Sequence, residues 1–172
     1  MIKLEKMSDK QPELDLIAEW RNQTLISLRT SDLTAYGKSQ RKWVDGFGPD
    51  VAYYFIYDAR RDYRFSTFLG YCGLDKIDPV NRTAEIGLLI NPKRQKNGVG
   101  KEAVRLLLEL AFSNFNLNCV FGECYQTTDN WEFWKKCGFI AEGELRARKW
   151  WDRKFYNSVM FSMTRLGWEI IR

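Results

Sequence analysis

The chain has 172 residues, enough for one domain with a real core and short for two. Its apolar share of 45% and aromatic share of 15% exclude a disordered or low-complexity protein, and a formal charge of +5 mildly favours an anionic partner. Histidine is absent, which removes Ser-His and Cys-His nucleophilic catalysis and the HExxH metal sites together.

The predicted elements run as follows. "IKLEKM" alternates as a first strand, and "PELDLIAEWRN" sets Leu14, Ile17, Ala18 and Trp20 near one helical face behind Pro12. A second helix is expected from Thr34 to Phe47, stopped by "GFGPD". "VAYYFIYD" and "FSTFLGYCGLDKI" are rich in strand formers on either side of the polar "ARRDYR". After the turn "DPVNR", "TAEIGLLI" completes a three-strand meander. From Gly98 the residues Val99, Ala103, Leu106, Leu107, Leu110 and Ala111 recur at helical spacing. "CVFGECY" follows as a strand and "DNWEFWKKCG" as a short helix ending at Gly138. "FIAEGELRARKW" and "KFYNSVMFSMTR" then form a terminal hairpin. The order β-α-α-β-β-β-α-β-α-β-β is that of one mixed α/β domain over residues 1–172, with no repeat or linker.

"MIKLEKMSDK" has no run of signal-peptide length and no segment reaches a membrane span, so a cytoplasmic protein with no membrane partner is expected. Cys72, Cys119, Cys124 and Cys137 lack CxxC spacing and read as reduced thiols, with no metal site.

The stretch "RQKNGVGKEA" fits three phosphate loops unequally. The Walker pattern G-x-x-x-x-G-K-[ST] fails, because Gln95 replaces its first glycine and Glu102 its hydroxyl residue. The dinucleotide fingerprint matches Gly98, Gly100 and Ala103, with Glu123 near the place of an acidic ribose ligand. It requires glycines directly after a strand, and here "NPKRQKN" intervenes.

The third pattern, [QR]-x-x-G-x-[GA], is filled by Gln95, Gly98 and Gly100 and resembles the acetyl-coenzyme A loop of the GNAT family of N-acetyltransferases. "AEIGLLINPKRQKNGVGKEAVRLLLELAF" resembles that family's strand, loop and helix in order. "FWKKCGFIAEGELR" resembles its later helix-to-strand junction, so about two-thirds of the chain is covered. The closest style is that of bacterial amino-sugar and ribosomal-protein acetyltransferases.

The resemblance implies a mostly antiparallel sheet of about seven strands with four helices, splayed where acetyl-coenzyme A enters. Backbone groups of Leu88, Leu89 and Ile90 would pair with the pantetheine, and a backbone N–H there would polarise the thioester. Gln95, Lys96, Asn97, Gly98, Val99, Gly100 and Lys101 would hold the phosphates, with Asn130 and Trp134 also beside the cofactor. For the loop, the residues agree independently: glycines admit a close anion and the helix start offers free N–H donors.

Glu85 stands where family members carry a catalytic glutamate and is the expected base. Tyr125 is the expected acid, because Trp134 fills the place where many relatives have a tyrosine. The expected acceptor is a small-molecule amine, anionic if it belongs to a nucleotide-linked amino sugar. Arg146, Arg148, Lys149, Arg153 and Lys154 among Trp150, Trp151 and Tyr156 would grip such a molecule. A polycationic acceptor is disfavoured on the ground that this basic rim would repel it. The alternatives are acetylation of a protein N-terminus, as in ribosomal-protein acetyltransferases, or a non-catalytic module binding coenzyme A or nucleic acid. Nucleic acid is not the expected partner, and either a monomer or a homodimer is compatible.

Overall fold

The computed structural model describes residues 1–23, 37–60 and 68–172. In chain order it contains β1 (Ile2–Lys6), α1 (Gln11–Arg21), α2 (Gly37–Asp45), β2 (Ala52–Asp58), β3 (Phe68–Asp78), β4 (Thr83–Ile90), α3 (Val99–Glu109), β5 (Cys119–Tyr125), α4 (Asn130–Lys136), β6 (Ile140–Trp151), β7 (Lys154–Thr164) and α5 (Arg165–Ile171). The strands form one seven-stranded sheet in the order β1-β2-β3-β4-β5-β7-β6. Every neighbouring pair is antiparallel except β4 and β5. That pair is parallel because the chain returns through α3, the kind of crossover a parallel pair requires.

The element order is the expected one, with the first part of the second predicted helix, 34–36, outside the described residues. The expected count of four helices is exceeded by α5. Seven residues give little periodicity to read, but Thr164 caps them by accepting the Gly167 N–H at 3.1 Å. The run after α3 widens into a π turn at Leu110–Asn114, where the Phe115 N–H reaches Leu110 O at 3.0 Å.

Two apolar cores lie on opposite faces of the sheet. On one face α3 sets Ala103, Val104, Leu107 and Leu108 against Cys72, Leu74, Ala84 and Ile86. On the other, Leu14, Ile17 and Trp20 of α1 pack with Tyr53, Phe55, Tyr57 and Leu89. Each large side chain removed from water contributes about 1.5–3 kcal/mol, so both layers stabilise the sheet between them. Strand alternation gives β4 a split character: Ala84 and Ile86 join the α3 face, while Glu85, Gly87 and Leu89 turn to the α1 face.

Candidate active site

The parallel pair is short. Its register runs Thr83↔Cys119, Ala84↔Val120, Glu85↔Phe121 and stops there. Above that point β4 stays with β3 as far as Ile90↔Gly70, and β5 stays with β7 as far as Tyr125↔Ser158. The two strands therefore part at Glu85, opening a cleft between their facing edges. The Asn91 N–H bonds Leu69 O on the β3 side at 2.8 Å, so alternation turns the Leu88 N–H and C=O into the cleft. Leu89, also in the expected set, points its backbone to β3 and its side chain into the α1-side core. Ile90 O faces the cleft but accepts Gln95 Nε2 at 3.2 Å, so the Gln95 side chain ties the loop to the strand end.

The loop closes the far end of the cleft. Asn91 Oδ1 accepts the Lys93 N–H at 3.0 Å, starting a short 3-10 turn over Pro92–Arg94. Lys96 has φ 62°, and Gly98 stands before α3 with φ 78°. A Cβ at Gly98 would meet no heavy atom within 4 Å, so the space above its backbone is open to a ligand. The first bond into the helix is Glu102 N–H to Gly98 O at 3.0 Å, which leaves the amides of Val99, Gly100 and Lys101 without intrahelical acceptors. The positive end of the helix dipole points the same way. Lys96, Asn97 and Lys101 are exposed, and the Val99 side chain lies half-buried against the α3-side core. This open, donor-rich end together with the free edge of β4 fits the phosphates and pantetheine of coenzyme A.

Gly100 differs from its neighbour. A Cβ there would stand 3.1 Å from Phe133 Cε2, so what its bare Cα admits is the ring of Phe133 on α4. Of the two glycines, Gly98 has open space beside its Cα and Gly100 faces Phe133. Trp134 lies in packed surroundings, stacked on Phe161 with centroids 4.8 Å apart and edge-on to Phe133 and Phe139. Asn130 is the first residue of α4, after Asp129 in the cap position.

The other part of the site lies on the α1 face at the point of divergence. Glu85 Oε2 accepts Lys76 Nζ at 2.6 Å. Asp75 stands directly across from Glu85 in the register and accepts the hydroxyl of Tyr53. The Tyr53 ring can lie there because Gly73 and Gly87 are paired beneath it: a Cβ at Gly73 would come within 2.2 Å of Tyr53 Cδ1. Burial, together with the neighbouring Tyr71, Asp75 and Glu85, pushes the Tyr53 hydroxyl far above its ordinary pKa, so it remains a donor. On β5, Glu123 accepts Ser158 Oγ at 2.5 Å and Arg148 Nε at 3.3 Å. Tyr125 shares that face, and burial followed by the Glu123 charge raises its pKa, keeping the hydroxyl protonated. Lys149 Nζ sits 5.5 Å from the Tyr125 ring centroid.

Glu85 and Tyr125 thus come to the same face of the cleft, three residues of β5 separating Tyr125 from Phe121, the last paired position. Arg148 and Lys149 of the predicted basic hairpin reach this face, while Lys154 lies over Tyr156 at 4.6 Å and Trp150 over Phe155 at 4.8 Å. Sequence reasoning missed Asp75, Lys76 and Tyr53 and gave Glu123 no part in the acceptor face. They are brought to the Glu85 face by contacts between strands distant in sequence, and the one local signal was the repeated glycine of "GYCGLD".

Residues 11–140 match the family model described as acetyltransferase (GNAT) domain. The chain is 29% identical over 98 residues to an uncharacterized N-acetyltransferase, p20, of Bacillus licheniformis, covering 56% of this chain and 55% of that protein. It is also 29% identical over 101 residues to a putative ribosomal N-acetyltransferase, YdaF, of Bacillus subtilis, covering 58% of this chain and 55% of that protein. The chain therefore spans about half the length of these two relatives. Among solved structures it is similar to spermidine N-acetyltransferase of Vibrio cholerae in complex with CoA and spermine, with a TM-score of 0.84 at 16% identity and 98% of each chain covered. A structure of spermidine/spermine N-acetyltransferase SpeG of the same organism with manganese ions aligns with a TM-score of 0.75 at 16% identity, over 95% of this chain and 92% of that one.

Proposed function

Because the chain belongs to the GNAT acetyltransferase family, we propose that it moves the acetyl group of acetyl-coenzyme A onto a primary amine of a small molecule. The observation that carries this reading is the parting of β4 and β5 at Glu85, with a donor-rich loop at the far end and a carboxylate at the near one.

Bound along β4, the cofactor supplies an activated acetyl thioester. The Leu88 backbone and the amides of Val99, Gly100 and Lys101 hold it, and the free N–H at the β4 edge polarises its carbonyl. An alkyl amine with pKa about 10.4 arrives as an ammonium, so it must lose a proton before it can attack. Glu85 takes that proton, directly or through one water. Tyr125, held protonated, can return one to the departing sulfur.

The acceptor face carries Asp75, Glu85 and Glu123, which supports a cationic amine rather than the anionic acceptor expected from the hairpin. That the similar Vibrio protein was solved with spermine agrees with this direction. The second reading, a nucleotide-linked amino sugar, is favoured by Arg148 and Lys149, which stand beside Tyr125 at the rim.

The test is release of free coenzyme A thiol from acetyl-coenzyme A with a panel holding a polyamine, a nucleotide-linked amino sugar and a peptide with a free N-terminus. Faster release with one of the first two supports the proposal and ranks the two acceptors. Release with the peptide alone reassigns the chain to protein N-termini. Binding of coenzyme A with no transfer to any amine leaves a non-catalytic module.

A further inference from the structure

Resting on the reading of Glu85 as the base for an incoming amine, a second amine is already in that place. Lys76 Nζ lies 2.6 Å from Glu85 Oε2, the distance at which a base takes a proton from its substrate. Strand alternation alone would not put it there. Asp75 pairs with Glu85, so the next residue should turn to the opposite face, over buried Ala84.

The register instead breaks between Asp75 and Asp78, and Lys76 takes φ 50°, a left-handed backbone that non-glycine side chains seldom adopt. Ile77 then fills the inward place against the α3-side core, and Lys76 is turned back towards Glu85. The side chain is 74% exposed, so nothing roofs its nitrogen. The hydrogen bond and charge of Glu85 raise the Lys76 pKa, with smaller contributions from Asp75 and Glu123.

We propose that Lys76 is an acetylation site of the chain itself, its Nζ taking the acetyl group of acetyl-coenzyme A bound in the cleft. Glu85 accepts one proton from the Lys76 ammonium. The nitrogen lone pair forms the N–C bond to the acetyl carbon as the C–S bond breaks, and that electron pair leaves on the coenzyme A sulfur. The second proton shed by the nitrogen goes to the thiolate. Ammonium and acetyl-coenzyme A thus become N-acetyl-lysine, coenzyme A thiol and one proton held by Glu85. The product amide has no charge, so the ion pair to Glu85 ends with the reaction.

The experiment incubates the full chain with acetyl-coenzyme A and no added amine, then follows acetyl groups on each lysine by peptide mass spectrometry. Lys76 should be labelled about tenfold or more faster than the mean of the other lysines, because it is held at the reacting position. The fraction labelled per unit time should not change on dilution of the protein. Glu85→Gln should slow the Lys76 label roughly 100-fold and leave the background on other lysines unchanged. In Lys76→Arg the fast phase of incorporation should vanish.

Labelling of Lys76 at the background rate, or equally in Glu85→Gln, overturns the inference. A chain that acetylates free amines but leaves Lys76 bare overturns it alone, and one that acetylates neither overturns the proposed activity with it.

Discussion

The lower half of β4, Thr83 to Glu85, has partners on both edges, while the upper half, Ile86 to Ile90, keeps only β3 as a strand partner. Eight residues of one strand therefore serve two ends. The paired half fixes Glu85 in position, and the half without a second strand leaves backbone donors and acceptors for a ligand. The two faces differ in the same way. The α3 face is apolar from Cys72 to Ile86, and the α1 face at the same level holds Asp75, Glu85, Gly87 and the hydroxyl of Tyr53. In this fold the polar groups of the proposed site gather where a strand loses a neighbour and a face loses its apolar cover.

Removing the carboxylate at the junction is expected to have the largest effect. Glu85→Gln should lower kcat by roughly 10²- to 10⁴-fold near neutral pH, with little change in KM for acetyl-coenzyme A. The deficit should shrink as pH rises and the free amine deprotonates unaided. A loss under about threefold with a parallel pH profile would return Glu85 to a structural role.

The packed face should break in stability instead. Leu107→Ala, at a fully buried position, should cost about 2–5 kcal/mol in urea unfolding. Tyr53→Phe separates the two faces more finely. It deletes the donor to Asp75 while keeping the ring between Gly73 and Gly87, and should cost about 1–3 kcal/mol. Unchanged stability would mean that Asp75 finds another donor.

The two loop glycines divide along the same line. Gly98→Ala should cost about 1–2 kcal/mol from its φ of 78° and weaken coenzyme A binding. Gly100→Ala should cost less than about 1.5 kcal/mol, since Phe133 must give way by only a few tenths of an ångström. Calorimetry on both variants checks the pair, and equal losses of affinity would restore the phosphate role to Gly100.

The thiols of the packed face add a pH dependence. Burial raises Cys124 and Cys137 to about 11 from an ordinary 9. Between those values the unfolded chain has already released protons that the folded chain still holds. Stability should therefore fall as pH rises from 9 to 11, seen as a declining urea midpoint.

Much of this was legible in the chain. The alternation of "TAEIGLLI" and the helical period after Gly98 are local patterns that marked the strand and the helix, while the loop motif and Glu85 were singled out through the family resemblance. What stayed hidden depends on partners distant in sequence. Asp75 lies ten residues from Glu85 and faces it only because the hairpin register pairs them. Tyr53 reaches Asp75 only through the space that two paired glycines leave. Lys76 depends on a bulge that no composition rule marks. The carboxylates of the acceptor face were hidden for the same reason: the hairpin cations were visible as a run, and Asp75, Glu85 and Glu123 were scattered over three segments.

Amide hydrogen exchange at Leu88 tests the central claim, that the open edge of β4 receives the acyl donor, most directly. The Leu88 N–H should exchange slowly only when coenzyme A is bound, with a change of about tenfold or more, whereas the Leu89 N–H, already bonded to β3, should hardly respond. Saturating coenzyme A that leaves Leu88 as fast as in the free chain would contradict the account.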